Sequence, residues 1–207
     1  MGEFVSSPLF YGCLLLAYLM GSFPTSYLIG KYIYKINLFE HGSKNVGATN
    51  ALRVLGKGPG IAVLLIDMAK GVIPVLVAYK VFATQVEAHL LIGVFSIVGH
   101  TLSPFLSFKG GKGVATSAGV FLALGPKALG ISMLLFVITV ALTRYVSLGS
   151  IIASFSLPAF SYYFYPQNLP LCATGILIAL FIIIKHRANI GRLIRGEENR
   201  FQWNKKA

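Results

Sequence analysis

Seven apolar runs dominate the sequence and leave little room for any fold but one of membrane-embedded helices. They are Leu9 to Ile33, Gly60 to Phe82, Ala88 to Phe105, Val114 to Leu124, Ala128 to Thr143, Ser147 to Tyr163 and Leu171 to Lys185. About twenty apolar residues cross a hydrocarbon core, and fewer suffice where neighbouring protein shields the helix. Charged residues make up 12% of the chain, against about a quarter in an ordinary soluble domain, and 56% is apolar. The pattern predicts an all-α polytopic membrane protein with about seven transmembrane helices, some short. No polar linker or internal repeat divides it, so residues 1–207 are read as a single integral-membrane domain. The run from Val114 to Leu124 has only 11 residues, which makes it a half-helix, a re-entrant segment or a helix buried by its neighbours. Glu3 and the lack of an early Lys or Arg argue against a secretory signal, so the first run is read as a retained span. Cys13 and Cys172 fall inside apolar runs and read as buried thiols.

A net charge of +12 would suggest nucleic acid in a soluble chain. Its distribution says otherwise. With seven alternating segments, fifteen cations fall on one side: Lys31, Lys35, Lys44, Arg53, Lys57, Lys109, Lys112, Arg144, Lys185, Arg187, Arg192, Arg195, Arg200, Lys205 and Lys206. Only Lys80 and Lys127 fall on the other, and Lys70 lies within a run. The positive-inside rule then places the N-terminus outside and the C-terminus in the cytoplasm. Membrane lipids, not nucleic acid, are the expected surroundings. The polar stretches richer than plain connectors all fall on that same cytoplasmic side.

Three of these stretches carry chemistry. "GSKNVGATN", Gly42 to Asn50, is followed by Arg53 one helical turn later. Small residues let backbone amides approach an anion, Ser43, Asn45, Thr49 and Asn50 add short polar groups, and an Arg can fork onto phosphate. An ordinary capped turn is the plainer reading. "FKGGKGVAT", Phe108 to Thr116, sets Lys109 and Lys112 around Gly110 and Gly111, just ahead of a helix expected near Val114. It lacks the P-loop order, because Gly113 follows Lys112, so nucleotide hydrolysis is not indicated. A mobile, amide-rich loop with two ammonium groups at a helix N-terminus suits a phosphate. Positive-inside anchoring alone accounts for the lysines but not the glycines. The third stretch joins Arg144 to Ser150 with the tail, where His186 and Asn189 stand three apart on one helix face, followed by Arg192 and Glu198. Interfacial capping explains that pair equally well, and Glu197 and Glu198 read as a solvated pair of charges. Asp67 and Lys70 sit inside a run at a spacing of three and read as a structural ion pair. His89 and His100, at either end of the third run, lack metal-ligand company and are expected at the interface.

Six blocks in order, "GSFPTSYL" from Gly21, "GSKNVGATN" from Gly42, "DMAKG" from Asp67, "GHTLSPFLSFKGGKGVAT" from Gly99, "RYVSLGS" from Arg144 and "HRANIGRLIRGEEN" from His186, resemble the bacterial acyl-phosphate:glycerol-3-phosphate acyltransferase family (PlsY). The resemblance covers Gly21 to Phe201. It implies an enzyme of the bacterial cytoplasmic (inner) membrane with seven helices and a cytoplasmic site, needing no metal or cofactor. Such an enzyme moves a fatty acyl group from acyl phosphate to the sn-1 hydroxyl of glycerol 3-phosphate, releasing lysophosphatidic acid and phosphate. Functional coupling to the enzyme that makes acyl phosphate is implied as well. By matching position, His186, Asn189 and Lys112 would be catalytic. Ser43, Asn45, Thr49, Asn50, Arg53, Lys109, Gly110, Gly111, Ser150 and Glu198 would bind substrate or phosphate, with Glu198 orienting or structural. Two positions depart from the family: Asn37-Leu38-Phe39 stands where Asp-Ile-Arg is common, and Lys44 stands where Gly is common.

A phosphate or organophosphate transporter is the main competing reading, but the motifs crowd one interface and no halves repeat. A scaffold that holds anionic lipid through its basic tail would leave both glycine-rich loops idle.

Overall fold

A computed structural model describes residues 3–201, and every regular element among them is helical. Lys205 and Lys206 of the cation count lie outside the described residues. Contacts group the chain into two compact units, Met1–Leu124 and Gly125–Ala207.

In the first unit, α1 (Pro8–Ser22) is followed by α2 (Thr25–Leu28), which runs into a π-helical turn, Ile29–Ile33. The first apolar run is therefore not one rod. Pro24 has no N–H to donate and its ring opposes a continuing helix, so Phe23 turns extended (φ −55°, ψ 120°). The break strips carbonyls of their helical donors, and two side chains from elsewhere replace them. Ser103 Oγ donates to Ser22 O at 2.6 Å, and Lys70 Nζ donates to Phe23 O at 2.7 Å. Asp67 Oδ1, 2.6 Å from Lys70 Nζ, balances the ammonium, and both side chains are buried.

The remaining elements are α3 (Ala48–Val54), α4 (Lys57–Val81), α5 (Val86–Thr101), a 3-10 turn at Pro104–Leu106 and α6 (Val114–Leu124). At one end Phe10 sits edge-on to Phe4 and Phe82, at 4.9 and 5.8 Å between ring centres. At the other, Leu38, Val46, Ala51 and Leu55 pack with Val63 and Leu106, so the polar loop after Ile33 rests on an apolar floor. Several helix pairs touch backbone to backbone, among them α3 and α4, where a Cβ on Gly60 would overlap Leu52. A Cβ on Gly21 would overlap Ser96 O and one on Gly99 would overlap Tyr18 O, which locks α1 to α5. In the same way Gly71 meets Thr116 O and Gly119 meets Met68 O, which locks α4 to α6. Lipid offers no hydrophobic drive between helices, so such close approach supplies the packing.

The second unit holds α7 (Pro126–Thr143), α8 (Val146–Phe164), α9 (Leu169–Lys185) and α10 (Arg187–Ile194). Arg144 ends α7 in a left-handed conformation, φ 63°. Helix α8 carries five serines. Ser150, Ser154 and Ser161 each return their hydroxyl to the carbonyl four residues back, which satisfies a polar group without a partner helix. Helix α9 bends by 59° into α10 at His186.

Each of the seven apolar runs is helical, yet among the described residues four stretches qualify as spans by length and composition: Pro8–Ile33, Lys57–Val81, Val86–Leu106 and Pro126–Thr143. The bent pair Leu169–Lys185 and Arg187–Ile194 makes a fifth if taken together. Helix α8 is long enough but diluted by its serines, and α6 is short, as expected. One expectation is corrected, that both cysteines are buried. His89 and His100 are buried, and each ring finds polar company inside: His89 Nε2 lies 2.8 Å from Phe82 O, and His100 Nδ1 lies 3.8 Å from Asp67. Cys172 is buried, whereas Cys13 is only partly covered.

The two classes of helical glycine have opposite expected behaviour. Gly71→Ala forces α4 off α6 and should cost about 1–3 kcal/mol. Gly130→Ala, where a Cβ meets nothing within 4 Å, should be neutral or stabilising by up to about 1 kcal/mol. Thermal unfolding of the two variants in detergent checks the difference in sign.

Candidate active site

The loop from His41 to Asn50 is organised by one buried amide. Asn50 Oδ1 accepts the Ser43 N–H at 2.8 Å, while its Nδ2 donates to His41 O at 3.0 Å and Leu38 O at 3.3 Å. With its amide committed to backbone, Asn50 shapes the loop. Gly42 (φ 64°) passes so close that a Cβ would strike Asn50 Oδ1. Lys44 also has positive φ, 57°, a conformation that costs a residue with a Cβ about 1–2 kcal/mol. This explains why glycine suits that position. Lys44 itself is exposed. Ser26 Oγ donates to Val46 O, tying the α1–α2 break to the loop. Ser43, Asn45, Thr49 and Arg53 are half-buried. Thr49 and Arg53 share a face of α3, one turn apart.

The segment after α5 is not the mobile loop its glycines suggest. From Phe108 to Gly111 every N–H is donated within the chain: to Ser103 O (2.8 Å), Leu106 O (3.0 Å), Thr101 O (3.2 Å) and His100 O (3.1 Å). The amides of Gly110 and Gly111 therefore do not form an anion nest, because carbonyls already hold them. Both glycines are needed for another reason. A Cβ on Gly110 would strike His100 O, and one on Gly111 would strike the His100 ring. Lys109 is exposed; Lys112 is half-buried and directly precedes Gly113 (φ 84°). The first intrahelical bond of α6 is Ser117 N–H to Gly113 O at 2.8 Å. The Val114, Ala115 and Thr116 amides ahead of it are those a helix leaves without internal acceptors.

Behind this segment a cavity of about 10 Å³ is lined by Thr25, Asp67, Lys70, His100 and Gly111, among others. Such a volume holds about one water molecule. It is too small for a phosphate ester.

The second unit has its own polar cluster. His186, buried at the α9–α10 bend, donates Nδ1–H to Ile182 O at 2.8 Å. In the neutral ring this tautomer leaves the lone pair on Nε2. Ser150 Oγ donates to Val146 O at 2.9 Å, so toward a ligand it is an acceptor, suited to a hydroxyl and not to a phosphate oxygen. Glu198 is the centre of the cluster. Its Oε1 accepts from Ser147 Oγ (2.8 Å) and Asn189 Nδ2 (2.7 Å), and its Oε2 from Arg192 Nε (2.7 Å). Burial alone would raise its pKa, but the hydrogen bonds from Asn189, Ser147 and Arg192, with the Arg192 charge, outweigh that and hold it below the usual carboxylate range. A buried carboxylate held by three donors repels phosphate and ties the tail to α8 and α10. Gly196 (φ 71°) ends α10, Glu197 N–H returns to Arg192 O at 2.8 Å, and Phe201 N–H reaches Arg144 O at 2.7 Å. The Glu197–Glu198 pair is thus split: Glu197 is exposed beside Arg195, while Glu198 is 6% exposed.

Within the first unit, then, Ser43, Asn45, Thr49 and Arg53 lie on one ordered loop and helix, and Lys112 lies at a helix start. Within the second, Ser150, His186, Asn189 and Glu198 belong to the α8 start and the α9–α10 bend. Sequence reasoning passed over Ser147 and Arg192 as partners of Glu198, and over His100 as the support of Gly111. The signal for the last was a histidine beside a run that already held Asp67 and Lys70. Among the described residues no three of His, Cys, Asp and Glu group as a metal site requires.

Apolar helices that present cations, hydroxyls and a histidine at their ends define an integral membrane protein built to handle a polar, anionic group at the edge of the lipid. This chain belongs to the glycerol-3-phosphate acyltransferase family: a family model of that description matches residues 11–196. It is 43% identical over 194 residues to the glycerol-3-phosphate acyltransferase of Fusobacterium nucleatum, covering 94% of this chain and 99% of that one. It is 46% identical over 187 residues to that of Trichlorobacter lovleyi, covering 90% and 94%. The crystal structure of PlsY (YgiH), an integral membrane glycerol 3-phosphate acyltransferase in its glycerol 3-phosphate form, matches with a TM-score of 0.89 at 39% identity, over 94% of this chain and 96% of that one. The lysophosphatidic acid form of the same protein matches at 0.86. Membership makes this an integral-membrane glycerol-3-phosphate acyltransferase of phospholipid biosynthesis, and the transporter and scaffold readings fall away.

The Glu198 cluster has a pH signature. A carboxylate whose folded pKa is depressed contributes stability above its unfolded pKa of about 4.3, and loses it as pH falls through the folded value. Docking of residues 196–201 should therefore persist at pH 5 and loosen only below the ordinary glutamate range. At pH 7, Glu198→Gln should speed amide exchange at Phe201 roughly tenfold, as one charge-assisted contact to a half-exposed Arg predicts. Hydrogen exchange of the C-terminal peptide measures both.

Proposed function

We propose that this enzyme takes its acyl group from acyl phosphate and places it on the sn-1 hydroxyl of glycerol 3-phosphate. The hydroxyl oxygen attacks the acyl carbon, the C–O bond to phosphate breaks, and the hydroxyl proton leaves on a phosphate oxygen. Acyl phosphate is already activated, so positioning and charge neutralisation matter more than a strong protein nucleophile. No G-x-S-x-G elbow occurs in the chain. The observation that carries the reading is Lys112, set between a glycine pair pinned by backbone hydrogen bonds and the first turn of α6. An ammonium beside a helix N-terminus favours a phosphate leaving group. Arg53, with Thr49 and Ser43, is assigned to phosphate as well, and Asn45 and Lys109 to its rim. His186 and Ser150 are assigned to the glycerol hydroxyls, which the Nε2 lone pair and the Ser150 oxygen can accept. Asn189 orients that cluster through Glu198.

The whole chain, residues 1–207, acts in this reading as one membrane domain with seven crossings and a cytoplasmic site. The fifteen-to-two division of cations supports that orientation. Family membership supports the bacterial inner membrane as its place, coupled to an enzyme that supplies acyl phosphate.

Purified protein should acylate glycerol 3-phosphate with acyl phosphate, keep its rate in EDTA, and turn over acyl-CoA poorly; equal rates with acyl-CoA would refute the donor assignment. Lys112→Ala should lower kcat/KM about ten- to a hundredfold, the loss of one charge-assisted contact of about 1.5–3 kcal/mol, while Lys127→Ala changes little.

For orientation, a cysteine at Gln167 should react with an impermeant thiol reagent in intact cells, and one at Asn199 should be protected. The opposite labelling would overturn the topology.

A further inference from the structure

Asp67, Lys70 and His100 are buried ionisable groups that the proposed reaction does not use. Their geometry links them to the segment that carries Lys112. Lys70 Nζ is held between Asp67 Oδ1 (2.6 Å) and the Phe23 carbonyl (2.7 Å), which fixes the carboxylate against the α1–α2 break. The same Oδ1 lies 3.8 Å from Nδ1 of His100. The opposite edge of that imidazole faces Gly111: the nearest atoms to a Cβ there would be Nε2, Cε1 and Cδ2 of His100. The His100 carbonyl accepts the Gly111 N–H at 3.1 Å, and the Thr101 carbonyl accepts the Gly110 N–H at 3.2 Å. The ring is therefore a spacer between a charge-locked carboxylate and the residue before Lys112.

We propose that His100, buttressed by Asp67 and Lys70, is a positioning residue that sets where Lys112 stands for the substrate phosphate. The inference rests on the phosphate role assigned to Lys112 above. A rigid aromatic spacer acts by contact. Without it the backbone of Gly111 gains room, and Lys112 moves off the line on which it meets phosphate. Displacement of a binding group by about 1 Å costs as much as a hundredfold in rate. Lys70 and Asp67 act together, since either alone would be a buried unpaired charge.

The two neighbouring glycines make the idea testable. A methyl on Gly111 collides only with the His100 side chain among its nearest contacts, whereas a methyl on Gly110 collides with the backbone of His100 and Thr101. Neither glycine has the positive φ that would strain alanine. Gly111→Ala should therefore lose about ten- to a hundredfold in kcat/KM, chiefly through a raised KM for acyl phosphate. In a His100→Ala background the methyl occupies the vacated space, so adding Gly111→Ala should cost less than about twofold or restore activity. Gly110→Ala should be equally harmful in either background. Comparison of detergent melting temperatures across the set separates loss of fold from loss of position, and only variants within a few degrees of the parent are compared kinetically.

A His100→Ala variant with parental KM and kcat overturns the inference, provided Lys112→Ala is impaired. So does a Gly111→Ala penalty that is undiminished by His100→Ala. If Lys112→Ala retains full activity, the phosphate assignment fails first, and the two failures are told apart by that single variant.

Discussion

A lysine ammonium bonded to a broken helix is the contact on which the first unit depends. Pro24 interrupts the first apolar run, and in a membrane each carbonyl left without a donor costs several kcal/mol. Lys70 donates to Phe23 O, beside the Thr25 N–H. A buried ammonium is itself costly, and Asp67 at 2.6 Å offsets that. The two charges stand or fall together, since removing either leaves the other buried and unpaired. Because the break is fixed, Ser26 meets Val46 and orders the polar loop, and Ser103 meets Ser22 and orders the end of α5.

The glycine-rich segment draws its order from the same place. Its sequence suggests flexibility, yet the N–H groups from Phe108 to Gly111 are all bonded to chain carbonyls. The glycines serve to let the segment lie flat on His100. The physical consequence is that Lys112 follows a fixed strip of backbone and stands just ahead of the first turn of a helix, so its backbone needs little further ordering. Glycines at the α1–α5 and α4–α6 crossings act likewise, by removing side-chain bulk where two backbones meet.

In the second unit, charge is sorted by burial. Glu197 and Glu198 are neighbours in sequence, yet one lies exposed beside Arg195 and the other is enclosed by Ser147, Asn189 and Arg192. An exposed pair contributes little, because solvent screens it. The enclosed carboxylate holds α10 and the start of α8 in one arrangement, and His186 sits at the bend of that arrangement.

Much was legible without coordinates. The apolar runs, the six ordered motifs and the Asp67–Lys70 spacing determined a helical membrane protein, its family and a buried ion pair. These are properties of local composition and spacing, which sequence states directly. Tertiary structure alone decided the rest. It decided that Asn50, Gly110 and Gly111 direct their polar groups inward, that Glu198 and not Glu197 is enclosed, that the first run is broken and capped from α4 and from Ser103 just beyond α5, and that His100 supports Gly111. Each of these depends on partners up to 81 residues distant along the chain, and an amide or carboxylate has the same letter whether its hydrogen bonds go to backbone or to a substrate.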